Sequence, residues 1–71
     1  IATARNLDIN KQEILLLMRM NKQAKAADKL KEYLGLLAEY KQQNDMNTQE
    51  SEWIGEELDW AGKMLSKISL L

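Results

Sequence analysis

The chain has no cysteine, no histidine, no proline and no phenylalanine, and only three glycines in 71 residues. Each absence removes a class of explanation. Without cysteine no disulfide can staple the fold, and without cysteine or histidine the usual ligands of a structural zinc are gone. Without histidine or a thiol, the common general base and the common activated nucleophile are both missing, so the serines and threonines have no imidazole to activate them. The glycines stand alone, so no glycine-rich phosphate loop exists. No run of about 18 apolar residues occurs, which excludes a membrane-spanning helix; the longest, Ile14 to Met18, is far too short. We expect no catalytic residue, no cofactor and no metal ligand. Lack of cysteine also fits the cytosol, and a cytoplasmic location is the expectation.

What remains is a helix-forming mixture. Hydrophobic residues make up 45% and charged residues 30% of the chain. That is a folding balance rather than a disordered one. Leu, Lys, Glu, Gln, Ala and Met dominate, and nothing in the sequence reads as a strand. The net charge is −1, but residues 1–31 carry seven cations against three anions and residues 32–71 carry three against eight. Two such halves neutralise each other within a hairpin or between subunits.

Two segments have the pattern of a helix start. Asn10-Lys11-Gln12-Glu13 places a capping side chain three residues before an acid, with Ile9 and Ile14 positioned as a staple across it. Asn47-Thr48-Gln49-Glu50 repeats the pattern. Gln43-Asn44-Asp45-Met46 is the strongest turn-like cluster. The expected fold is therefore all-α: a polar lead-in over 1–9, a long helix over about 11–44 and a second helix over about 48–70, packed as an antiparallel hairpin in a single domain. Paired positions sum to about 92 in such a hairpin, which sets Leu34 opposite Leu58 and Leu30 opposite Gly62.

The two helices would be roughly 50 Å and 35 Å long, and this mismatch leaves Ile14 to Met18 uncovered. A break near Asn21 would fold the first helix back and give a three-helix bundle. Alternatively the helix continues and its overhang packs on another chain. No glycine or proline marks a break near residue 21, which favours the continuous helix.

Leu16, Met20, Ala24, Ala27, Leu30, Leu34, Leu37 and Ala38 share one face of that continuous helix. Leu15, Met18, Tyr33, Leu36 and Tyr40 form a second. On the other helix Ile54, Leu58, Ala61, Leu65 and Ile68 make the main stripe, with Trp53 and Trp60 at its edge. A small chain with more apolar faces than neighbours needs a partner. The expected binding residues are Ile14, Leu15, Leu16, Leu17, Met18, Met20, Tyr33, Leu36, Tyr40, Trp53 and Trp60. Aromatic anchors and adaptable methionines suit such surfaces. The functional expectation is a non-enzymatic protein-interaction module, an adaptor, assembly or chaperone-like subunit that self-associates or joins a protein partner.

The alternative is nucleic-acid binding. Lys11, Lys22, Lys25 and Lys29 fall in one sector of a continuous helix, a stripe that could track phosphates. Glu32 and Glu39 beside it, the negative net charge and the lack of aromatics among the lysines count against it. A membrane-surface helix is countered by the acidic second half.

Overall fold

A computed structural model gives the fold over residues 3–43 and 47–69. These residues form three helices and no strand: α1 (Ala4–Arg19), α2 (Gln23–Gln43) and α3 (Thr48–Ser69). The fold is the three-helix form, so the continuous helix favoured by the sequence is corrected: it breaks at Met20–Asn21.

The break has a local cause and a global one. Locally, the end of α1 is a Schellman motif. Asn21 takes the left-handed conformation at φ 61°. Its N–H donates to the Met18 carbonyl at 3.0 Å, and the Lys22 N–H donates to the Leu17 carbonyl at 2.8 Å. These bonds satisfy carbonyls that the helix end leaves open. Asparagine tolerates this conformation better than most side chains, so the turn needs no glycine. Lys22 then opens α2, its carbonyl accepting from the Ala26 N–H at 3.0 Å.

Globally, the buried stripes of the two helices are out of phase. α1 buries Leu7 and Ile14, with Met18 packed beside them; α2 buries Ala26, Leu30, Tyr33 and Leu37. On one continuous helix these stripes would point roughly 110° apart. They cannot face one neighbour together unless the chain turns between them.

The N-terminal segment is also corrected. Residues 4–9 belong to α1 and are not a lead-in. Thr3 is the cap, its Oγ1 accepting from the Asn6 N–H at 3.1 Å, and Asn10 lies inside the helix with its side-chain amide donating to the Asn6 carbonyl at 2.9 Å. Thr3 carries no capping-box pattern in the sequence, because no acid follows it in the first turn. At α3 the expected cap is in place: Asn47 Oδ1 accepts from the Glu50 N–H at 2.8 Å. The turn-like residues 44–46 lie outside the described residues.

α2 is the central element. It packs closely on both neighbours, whereas no Cα of α1 comes within 8 Å of one of α3. The core joins Leu7 and Ile14 of α1, Leu30, Tyr33 and Leu37 of α2, and Ile54 and Ala61 of α3. The α2–α3 register agrees with the expected one to within a residue: Tyr40 meets Trp53, and Tyr33 meets Trp60, each edge-to-face at about 6 Å.

The left-handed turn predicts a specific order of variants. Asn21→Gly should hold or raise stability by up to about 1 kcal/mol, and Asn21→Val should lower it by about 1–2 kcal/mol, read by urea unfolding. Equal stabilities would mean that the turn conformation is not a constraint.

Candidate functional site

Two features stand out beyond the apolar core. One is a polar cluster at its centre; the other is a groove on its outside.

The cluster takes one residue from each helix. Lys11 lies between Leu7 and Ile14 on the buried face of α1, and Glu57 lies between Ile54 and Ala61 on that of α3. Glu57 is a carboxylate only 8% exposed. The Tyr33 hydroxyl donates to its Oε1 at 2.7 Å. The Lys11 ammonium reaches the same oxygen at 2.9 Å and donates to Oε2 at 3.1 Å. The ammonium also sits 4.8 Å from the centre of the Trp60 ring, a cation–π contact. Among the described residues no buried side-chain nitrogen or oxygen is left without a partner. Burial, followed by the hydrogen bond to Glu57 and the carboxylate charge, pushes the Tyr33 phenol well above its ordinary range. The phenol therefore stays neutral and acts as a donor.

Sequence reading missed this cluster. Lys11 reads from the sequence as part of a basic stripe, and Glu57 as one of the eight anions of the acidic second half. The signal was nevertheless present: each charge sits three and four residues from apolar side chains that face inward, at positions where a hydrophobic residue is the rule.

The groove lies between α1 and α2 and encloses about 420 Å³. Leu16 and Leu17 supply its apolar surface; Glu13, Lys25, Asp28, Lys29 and Glu32 surround it. Lys29 bridges it, 2.9 Å from Glu13 across the helices and 3.6 Å from Glu32 on its own. The hydrogen bond to Glu13 is the main reason that the Lys29 ammonium holds its proton above the ordinary lysine range. Beside the groove, on the outer face of α1, Ile9, Leu16 and Met20 are 46%, 52% and 51% exposed. They point away from Leu7 and Ile14, so α1 is apolar on two opposite sides.

No protein-family model, curated protein or solved structure matches this chain.

The residues singled out from the sequence therefore divide. Ile14 and Tyr33 are fully buried in the core. Met18, Leu36, Tyr40, Trp53 and Trp60 are half-buried and packed against it. Leu15, Leu16 and Met20 are exposed, and Leu17 is half-buried in the groove. Burial all round Ile14 to Met18 is thus corrected: one side of that segment is inside and the other is open. Ile9, which the sequence reading used only as a cap staple, joins the open side. Among the described residues no three acidic, histidine or cysteine side chains gather as a metal site, and no helix is long and apolar enough to cross a membrane.

Two outcomes follow for the polar cluster. Lys11→Ala should cost about 1–3 kcal/mol, less than for a fully buried pair because the lysine is partly solvated. Unfolding by urea checks this, and no loss would mean that water replaces the ammonium freely. The Tyr33 phenol has a higher pKa folded than unfolded, so its contribution is complete below about pH 10 and is lost as pH rises through the folded value. Stability should fall above pH 10, and Tyr33→Phe should flatten that fall.

Proposed function

We propose that this bundle is a non-enzymatic protein-interaction module that docks an apolar-faced helix of a second chain on the outside of α1, beside the α1–α2 groove. One observation carries the reading. Ile9, Leu16 and Met20 form an exposed stripe on the side of α1 opposite the core. A helix apolar on two faces buries both, and the fold covers only the Leu7–Ile14 face of α1. An apolar stripe with charged residues along one margin is the surface that helix-in-groove recognition uses. Adaptor, assembly and chaperone-like roles all draw on such a surface.

The polar cluster supports a structural role rather than a chemical one. Both Glu57 oxygens are engaged by protein donors, and the Tyr33 hydroxyl is committed to one of them. Neither group is open to a substrate. The nucleic-acid alternative depended on a continuous helix aligning Lys11, Lys22, Lys25 and Lys29. With the helix broken at Asn21, Lys11 turns inward to Glu57 and Lys29 is held by Glu13. That stripe no longer supports the alternative.

Leu16→Asp tests the reading. It should leave helicity intact and stability within about 1 kcal/mol, because Leu16 is half exposed. It should abolish association detected by sedimentation equilibrium; in a separate variant, a photo-crosslinker placed at position 16 and exposed to the native extract should form an adduct with the partner. A chain that stays at 8.2 kDa at millimolar concentration, and whose position 16 crosslinks to no protein, would remove the proposal.

A further inference from the structure

The charges beside the groove have an order. Along α2 they run Lys25, Asp28, Lys29, Glu32, which is plus, minus, plus, minus. Reversed, the series becomes its own complement. If a second α2 lies antiparallel to the first, with the two-fold axis passing between residues 28 and 29, Lys25 meets Glu32 of the second copy and Asp28 meets its Lys29. Four opposite-charge pairs form, counted over both halves. A parallel arrangement would set each charge against its own twin and repel.

The apolar stripe of α1 has its own centre. Ile9 and Met20 are equidistant from a point between residues 14 and 15. An antiparallel α1 of a second copy would place Ile9 against Met20 and bring the two Leu16 side chains to either side of the axis. These two centres need not agree, since one comes from charges on α2 and the other from apolar residues on α1. The intrachain ion pair decides whether they do. Glu13 faces Lys29 at 2.9 Å, so the midpoint on α2 stands opposite residues 13–14 of α1. That is within about one residue, or 1.5 Å, of the apolar midpoint. One two-fold axis therefore satisfies both helices.

We propose that the partner of this surface is a second copy of the chain, bound through α1 and α2 as an antiparallel four-helix layer with α3 on the outside of each copy. This rests on the interaction reading above and names its occupant. The interface is isologous, with the same patch used on both sides. Packing α1 against α1 and α2 against α2 is the arrangement of an antiparallel four-helix bundle. The apolar stripe supplies the buried area. The charge order supplies register and direction, the usual division of labour at such contacts.

Charge reversal at Lys25 and Glu32 tests this without touching the core, since both side chains are exposed. Sedimentation equilibrium should give a dimer for the natural chain. Lys25→Glu alone and Glu32→Lys alone should each weaken it by about tenfold or more, because each turns two attractions into two repulsions. The double variant K25E/E32K restores both opposite-charge pairs between positions 25 and 32, with the signs exchanged, and should dimerise within about threefold of the natural chain. The two single variants, each poor alone, should pair when mixed. Circular dichroism should report the same helicity throughout. A dimer that neither single reversal weakens, or a double variant no better than the singles, overturns this register. A natural chain that is monomeric at millimolar concentration overturns self-pairing. In that last case crosslinking from position 16 to a different protein would keep the interaction reading, so the two failures are distinguishable.

Discussion

A single buried carboxylate organises this bundle. Glu57 needs donors for both oxygens, and it finds them on the two other helices, in the Tyr33 hydroxyl and the Lys11 ammonium. Ion pairs of this kind add little net stability relative to apolar side chains of the same size, because the cost of removing charge from water offsets the attraction. Their effect is on uniqueness. α1 has two apolar faces, and hydrophobicity alone would accept either against α2. Lys11 lies on one of them only. With Glu57 and the Trp60 ring waiting at that level, the face with Leu7 and Ile14 goes in and the face with Ile9, Leu16 and Met20 stays out. The Lys11–Glu57 pair can form with only one of the two faces of α1 turned inward.

The turn at Asn21 serves the same end. The buried stripes of α1 and α2 are out of phase as a continuous helix, so the chain must rotate as well as reverse between them. A left-handed residue followed by a new helix start accomplishes both within a few residues. The arrangement also places Leu16 and Leu17 beside α2, where the charged side chains of residues 25–32 meet them.

Much of the architecture was legible in the sequence. Composition pointed to the helical class, Asn47 marked the start of α3, and the place of the turn-like cluster before it gave the α2–α3 register to within a residue. Three things were harder to read, each for a physical reason. Thr3 caps α1 without an acid in the first turn, so the start of that helix looked like a tail. Asn21 breaks the chain without glycine or proline, because the Schellman bonds and the phase of the core do the work that those residues do elsewhere. Lys11 and Glu57 looked like surface charges because their value depends on meeting each other across 46 residues, and no local pattern records a partner that distant. The candidate surface was read only in part. Leu15, Leu16, Leu17 and Met20 fall at or beside it, whereas Ile14 and Tyr33 went to the core once the helix folded back.

The central position of α2 has a consequence for how the chain folds. Close backbone contacts connect only helices adjacent in sequence, α1 with α2 and α2 with α3. Each hairpin can therefore assemble from local encounters, with small loop-closure cost, and topologies of this kind reach the native state in microseconds to milliseconds. The bond between Lys11 and Glu57 is the exception, since it needs both hairpins in place before its ends can meet. A chain that docked that helix wrong side in would leave Glu57 buried without its cation, a costly state for a charge removed from water.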